Sequence, residues 1–466
     1  MSSLQRELER AAGIIKKHDY ARVVSHYDAD GITAAGIICN ALIRRGIQFH
    51  ATITSKLDGH FVQEMGNEEL IIIADMGTAQ MNLISAFLKD KDVVILDHHT
   101  TSLRSSPSQS HVLINPNYAW QSSSVEKTKT QSKPMSGSEL CAAGISYLVA
   151  RLLGDDERGN VDLAGLAIAG TLGDKLPLDR GINGLILDEA LKEGVVTPRR
   201  GLKLGDGKVR DLILLSTDPY TPLAGNIERV DEFLSEVGID GDKRLEELGE
   251  EDERRLCSAL LSIAGESNRE LREEALFGTT YILNSEVVKN ALDFMRMVDA
   301  CGRFGKAGIG IGLCMREEGL IEEAKSLYTV FQNKLVSELN RIEGAKGEAM
   351  KELPNIYYLY VQEKGITGVL AGIIAEYISR GKPVIVLNRK DGANEHGGDT
   401  KISARCSKNL VRKGIDLAKA LEHAASEVGG YGGGHPVASG ASIPEGAEER
   451  FITAVDRIIG EQIRAS

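Results

Sequence analysis

Val93-Val94-Ile95-Leu96-Asp97-His98-His99 places four apolar residues directly before an acid and two histidines. An apolar run without alternation predicts a strand buried on both faces, as in a parallel sheet. The charged triplet then lies at the carboxyl end of that strand, where open α/β sheets bind their ligands. The pattern recurs on either side. Residues 21–25 predict a strand that runs into Ser25-His26-Tyr27-Asp28-Ala29-Asp30-Gly31, and residues 32–44 an alanine-rich helix. Residues 47–55 and 70–74 predict two more strands, the latter ending in Asp75-Met76-Gly77. A helix over 81–88 precedes the quoted strand, and a short strand over 111–114 ends in Asn115-Pro116-Asn117. A polar loop spans 121–133, and Ser136-Gly137-Ser138-Glu139 opens a helix that continues through 140–153. An apolar helix over 163–171 ends in Leu172-Gly173-Asp174. Alternating β and α units of this kind predict an α/β fold with a doubly wound parallel sheet over residues 1–195.

At 466 residues the chain exceeds one core, so two or three domains are expected. The texture changes after about residue 195. Residues 197–210 are basic and glycine-containing, and 227–265 are charged and helical, with an acidic run over 246–253 that reads as a solvated face. Residues 196–349 thus read as a helical insertion and linker, the stretch 320–353 being a long amphipathic spacer. Residues 350–466 read as a smaller α/β domain, with strands expected at 355–361 and 384–387 around a helix over 365–380. A formal charge of -12 argues against a protein that binds polyanions over its whole surface, and leaves room for a local basic groove. The six scattered cysteines form no CxxC pair, so neither structural zinc nor a disulfide framework is expected, and a reducing cytoplasm fits. The polar amphipathic N-terminus is not a signal peptide, and no apolar run is long enough for a transmembrane helix, so no membrane partner is expected.

Four element ends carry the same chemistry: His26/Asp28/Asp30, Asp75, Asp97/His98/His99 and Asp174. Neighbouring strand ends lie within roughly 5–10 Å of one another, because strands are about 4.8 Å apart. A lone Asp at a strand end usually caps a helix or turn; four such ends, one with an adjacent His pair, exceed what capping explains. Carboxylates with imidazoles suit Mn²⁺, Mg²⁺ or Fe²⁺, and crowded acids repel one another without a cation. Two ions about 3.5–4 Å apart with a bridging acid are one solution for splitting phosphate esters. Asp97 can instead accept a hydrogen bond from a ligating imidazole and fix its tautomer.

The set His26-Tyr27-Asp28-Ala29-Asp30-Gly31, Ala74-Asp75-Met76-Gly77, Asp97-His98-His99 and Gly170-Thr171-Leu172-Gly173-Asp174 resembles the four motifs of the DHH phosphoesterase superfamily. Gly432-Gly433-Gly434-His435-Pro436-Val437-Ala438-Ser439-Gly440 resembles the signature of its DHHA1 partner domain. Together with Ala300-Cys301-Gly302-Arg303 and the length, the chain is most similar to archaeal RecJ-like nucleases, some of which associate with the GINS replication complex. The resemblance implies two Mn²⁺, with Mg²⁺ as the alternative. His26, Asp28 and Asp75 would hold one ion; Asp30, Asp75, His98 and Asp174 would hold the other. His99 would face the scissile phosphate, with Asp97 as its orienting partner. His26 is a departure, since bacterial RecJ usually has Asp there.

In the second domain, Gly432, Gly433 and Gly434 allow close backbone approach and His435 can donate to an anion. Ser403 and Arg405 lie on a predicted strand; Arg405 suits bidentate phosphate contact, against the plainer reading of a surface ion pair. Arg303, in a Gly-flanked turn, is a further substrate-binding candidate. Arg389, Lys390, Lys401, Lys408, Arg412 and Lys413 form a basic cluster suited to single-strand binding, or an ordinary solvated face. Three functions follow as expectations. The first is a Mn²⁺-dependent exonuclease that releases nucleoside monophosphates from single-stranded DNA or RNA, in replication or repair. The second is a phosphodiesterase of small substrates: an oligoribonuclease, an adenosine bisphosphate phosphatase or a cyclic-dinucleotide hydrolase. The third is a replisome scaffold, partnered with GINS.

Overall fold

The computed structural model of the protein describes residues 3–99, 110–117, 140–156, 158–266, 271–344, 349–363, 365–379, 381–388 and 399–465. The polar loop 121–133, the helix start at Ser136–Glu139, and Arg389 and Lys390 lie outside them. The chain forms two compact units: residues 1–200 with 279–328, and residues 201–278 with 329–466. The stretch 196–349, expected to form one insertion, is therefore divided between them.

The first unit is built on five parallel strands: β1 (Tyr20–His26), β2 (Gln48–Thr54), β3 (Leu70–Ala74), β4 (Asp92–Leu96) and β5 (His111–Ile114), in the order β2-β1-β3-β4-β5. Every residue of β3 and the apolar residues of β4 are fully buried, as strands covered on both faces must be. In this order the connections change direction between β1 and β3, which opens a crevice at the carboxyl ends of those two strands. The helix Ala29–Arg44 follows β1 and is buried along most of its length. It packs at close range on small residues. A Cβ on Gly36 would lie 2.3 Å from Cys314 Cβ, and one on Gly170 would lie 2.5 Å from both Ala143 Cβ and Thr33 Oγ1. The outer end of the helix is tied by charges: Arg44 pairs with Asp162 at 2.7 Å, and Arg316 with Asp162 at 2.6 Å and with the buried Glu286 at 3.1 Å.

Val196–Leu202 is a strand, β6, paired with β7 (Phe277–Leu283), where the basic composition had suggested part of a helical module. The helices Ala291–Arg303 and Ala307–Cys314 belong to the first unit, and the long helix Ile321–Gly344 carries the chain from the first unit into the second. The second unit holds the helices of residues 209–266 with their own core, and a six-stranded mixed sheet. Its strands are β8 (Lys351–Glu352), β9 (Tyr357–Val361), β10 (Val384–Asn388), β11 (Asp399–Arg405), β12 (Tyr431–His435) and β13 (Ala438–Pro444), in the order β12-β13-β11-β10-β9-β8. Only β9 and β10 pair in parallel. Among the described residues no helix is long and apolar enough to cross a membrane.

Candidate metal centre

Register brings the chemistry into one row. Ser25 pairs with Ala74, Ala74 with Leu96, and Leu96 with Ile114. The next residue on each strand is His26, Asp75, Asp97 and Asn115, side by side across the sheet end. The ladder continues one step through the backbone, with Asp75 N donating to Leu96 O at 2.9 Å and Asp97 N to Ile114 O at 3.1 Å. Asp75 takes a left-handed backbone, φ 56°, a conformation that costs energy for a residue with a Cβ and concentrates at functional sites.

Asp75 sits between two groups of ligating atoms. Its Oδ2 is 3.4 Å from His26 Nδ1, which is itself 2.9 Å from Asp28 Oδ2. Its Oδ1 is 3.3 Å from His98 Nε2, which lies 3.2 Å from Asp174 Oδ2 and 3.7 Å from Asp30 Oδ2. His99 Nδ1 approaches the same Oδ1 at 3.8 Å. His26/Asp28/Asp75, Asp30/His98/Asp174 and Asp75/His98/His99 are each compact enough to hold one ion. All six residues expected from the sequence as ligands converge here.

Several observations fit these residues to divalent cations. His26 Nδ1 and Asp75 Oδ1 are buried without a hydrogen-bond partner, although other polar atoms crowd them. Imidazole nitrogens and carboxylate oxygens crowded together in this way suit a common divalent cation. Asp28 divides its carboxylate: Oδ1 caps the helix Ala29–Arg44 by accepting from Gly31 N at 3.0 Å, which leaves Oδ2 to the cluster. Asp174 lies at the C-terminal end of the helix Ala164–Gly173, where the helix dipole disfavours a carboxylate. Burial and the neighbouring Asp30 hold its pKa well above the usual carboxyl range. Burial and Asp75 push Asp30 up to about 7, even though its oxygens accept from Ala142 N and Ala143 N at 2.8 Å each. Burial alone would lower the pKa of His98, but Asp75, Asp174 and Asp30 override it and raise it well above the ordinary value. His26 is likewise pushed up to about 11 against its burial, chiefly by Asp28. Three carboxylates around one imidazole nitrogen form an excess of negative charge that a divalent cation balances.

Asp97 is placed differently. It is 1% exposed, and its oxygens accept from Thr78 N at 2.8 Å, His98 N at 2.8 Å, His99 N at 3.1 Å and His99 Nδ1 at 2.8 Å. Burial opposes its charge, but the His99 imidazole and these donors hold its carboxyl well below the usual range. It thus grips the triplet's backbone and one imidazole. Asn115 donates to Thr78 Oγ1 and to His99 O, both at 2.9 Å, and Asn117 donates to His98 O. The sequence alone assigns these asparagines no role; their place directly after β5, level with Asp97, is the signal that finds them. Gly302 is also explained, since a Cβ there would lie 1.7 Å from Tyr27 O, in the turn between His26 and Asp28.

The expected substrate residues fall in both units. Arg303 is in the first, at the end of the helix Ala291–Arg303; it is ion-paired with Asp299, with its guanidinium 6.0 Å from the Tyr27 ring centre. Ser403 and Arg405 are on β11 and Gly432, Gly433, Gly434 and His435 on β12, all in the second. Two of the glycines are required by their own packing: a Cβ on Gly432 would meet Leu421 O at 2.7 Å, and one on Gly434, at φ 140°, would meet Ala438 O at 2.8 Å. Only Gly433 faces open space. Lys408, Arg412 and Lys413 lie on or beside the short helix Lys408–Arg412, whereas Lys401 and Arg405 are on β11.

Comparison with known proteins identifies the two domains. Residues 21–171 match the model of the DHH family, N-terminal domain, and residues 354–461 match the DHHA1 domain. An uncharacterized protein of Methanocaldococcus jannaschii is 31% identical over 474 residues, covering 98% of this chain and 99% of that protein. The fold is similar to that of CDC45 from Entamoeba histolytica (TM-score 0.63, 11% identity, 98% of this chain and 99% of that one). It is also similar to RecJ from Thermus thermophilus, solved in complex with Mn²⁺ (TM-score 0.58, 19% identity, 98% of this chain). The chain spans about half, 55%, of that RecJ. On its motifs, its two matched domains and its full-length relative, the chain belongs to the DHH/DHHA1 superfamily, with a RecJ-like fold.

Proposed function

We propose that this protein is a Mn²⁺-dependent exonuclease that hydrolyses the terminal phosphodiesters of single-stranded DNA or RNA to nucleoside monophosphates, with Mg²⁺ as the alternative ion. The observation that carries the reading is the position of Asp75, whose two oxygens face two different ligand groups. That is the placement needed to bridge two ions. His26 and Asp28 would complete one site; Asp30, His98 and Asp174 would complete the other. When bound, such ions supply Lewis acidity toward a phosphoryl group and make water acidic near neutral pH.

The chain's own residues do the rest. Asp97 accepts the Nδ1 proton of His99, which turns Nε2 toward a phosphoryl or leaving oxygen. Asp97 and Asp75 raise the His99 pKa against its burial, favouring the protonated ring that a proton donor needs. Ser403, Arg405 and His435 would hold the strand. Support also comes from the fold shared with a Mn²⁺ complex of RecJ. A scaffold role, with or without GINS, is the second reading, and the likeness to CDC45 favours it.

The test is digestion of end-labelled DNA and RNA strands with Mn²⁺, wild type beside Asp75→Ala. Stepwise release of mononucleotides from long strands by the wild type alone supports the exonuclease. Cleavage only of fragments of a few nucleotides moves the reading to a small-substrate phosphodiesterase. No cleavage of any strand, with GINS capture intact in both proteins, establishes the scaffold.

A further inference from the structure

Tyr431 is 64% exposed, more than any other large apolar or aromatic side chain among the described residues. It begins β12, one residue before the glycine run, and nothing in the reading above uses it. Its ring is nevertheless held. Register places Tyr431, Ser442 and Lys401 in one row across β12, β13 and β11. Lys401 Nζ lies 5.6 Å from the ring centre, and donates to Ser442 Oγ at 2.8 Å and to the Tyr431 hydroxyl at 3.4 Å. Ser442 Oγ in turn donates to Asp399 Oδ2 at 2.9 Å. A cation held against an exposed aromatic ring leaves the rest of the π surface to a ligand.

The same sheet face continues toward Arg405. Along β11, exposed Asp399 and Lys401 and half-buried Ser403 and Arg405 alternate with the buried Thr400, Ile402 and Ala404. The row between the ends is Gly433, Gly440 and Ser403, two of which have no side chain. This makes a floor of bare backbone with a cation at each end. Lys401 and Arg405 are four residues apart, about 13 Å along a strand, the length of roughly four stacked nucleotides at about 3.4 Å each.

We propose that Tyr431, braced by Lys401, is a stacking platform for a nucleobase of the bound single strand, one end of a short track whose other end is Arg405. The inference rests on the nucleic-acid reading above and adds a specificity element to it. Stacking on a tyrosine is sequence-tolerant, since every base has a π face. Strand selection here would therefore depend on the presence of a base and not on its identity.

Binding of a fluorescein-labelled thymidine homopolymer and of an equally long abasic strand, read by anisotropy in EDTA to stop turnover, tests it. The full chain is compared with Tyr431→Ala, Tyr431→Phe and Lys401→Ala. Tyr431→Ala is expected to weaken the thymidine strand roughly 5- to 100-fold, the range that alanine substitution of a stacking aromatic gives, and to leave the abasic strand unchanged. Tyr431→Phe binds both strands like wild type, and unchanged abasic-strand binding by Tyr431→Ala excludes a folding defect in that variant. Lys401→Ala weakens both strands and lowers the salt slope by about 0.7. Equal binding by wild type and Tyr431→Ala overturns the platform and leaves the exonuclease reading standing. A Phe variant as weak as Ala overturns stacking in favour of a hydroxyl contact. A wild type that binds neither strand overturns the platform, and the exonuclease reading is then decided by the Mn²⁺ digestion alone.

Discussion

Gly302→Ala is the smallest change that tests how the centre is held. A Cβ at residue 302 would lie 1.7 Å from Tyr27 O, 2.8 Å from Tyr27 C and 2.9 Å from Ile32 Cδ1. Non-bonded carbon and oxygen prefer about 3.5 Å. Either the helix Ala291–Arg303 or the turn after His26 must therefore retreat by well over 1 Å, and backbone cannot swing aside as a side-chain tip can. Overpacking costs about 1–3 kcal/mol, and a clash with backbone at this distance belongs at the upper end. At roughly 2–4 °C per kcal/mol for a unit of this size, a loss of about 3 kcal/mol lowers the Tm by roughly 6–12 °C. The turn carries His26 and Asp28, whose ligand atoms are 2.9 Å apart, and a misplacement near 1 Å costs about a hundredfold in rate. Calorimetry, Mn²⁺ titration and strand digestion are to be run beside Gly308→Ala, whose Cβ meets nothing within 4 Å and which gains helix propensity. Gly302→Ala with the Tm, Mn²⁺ affinity and turnover of Gly308→Ala refutes the reasoning.

Other outcomes follow from the same structure. Asp75→Asn keeps a residue tolerant of left-handed backbone and should weaken both steps of a Mn²⁺ calorimetric titration, with turnover falling at least about a hundredfold; Asp174→Asn should weaken one step only. Asp162, with Arg44 and Arg316 overcoming its burial, has its pKa lowered from 3.8 to about 2. It contributes up to about 2 kcal/mol, fully present above pH 3.8 and lost as the pH falls through 2. Urea unfolding of Asp162→Asn should show that deficit at pH 7 and a shrinking one near pH 3. All six cysteines are free and buried, and burial raises Cys39 and Cys301 to about 12. A thiol reagent should therefore modify few or none in the native protein and all six after denaturation.

The site was legible because parallel strands advertise their ends. Leu70–Ala74 and Val93–Leu96 are apolar without interruption, so the first charged residue after each marks the sheet's edge, and register aligns those edges. In the sequence Asp97 can be either a ligand or the partner that orients an imidazole. Only three dimensions show that its oxygens are occupied by amides and by His99, while those of Asp75 face two ligand groups. Gly302 is opaque for the same reason: its constraint is the carbonyl of Tyr27, far off in sequence. The strand Val196–Leu202 lies in a basic stretch that reads as part of a helical module; its partner is the distant Phe277–Leu283, and such pairing leaves no local signature. The division of 196–349 between two units was hidden likewise, because it is set by contacts between segments far apart in the sequence.

The discontinuous course of the chain bears on how the protein is made. The candidate ligand residues are all synthesised by residue 174, but the helix Ala29–Arg44 receives Cys314, which fills the space at Gly36, only much later. Between residues 200 and 328 the ribosome adds about 130 residues, roughly 6–25 s at 5–20 residues per second. Residues 201–278 of the second unit are therefore synthesised before residues 279–328 complete the first. The first unit thus cannot complete its fold until part of the second has already been synthesised, which excludes strictly successive folding of the two units in chain order.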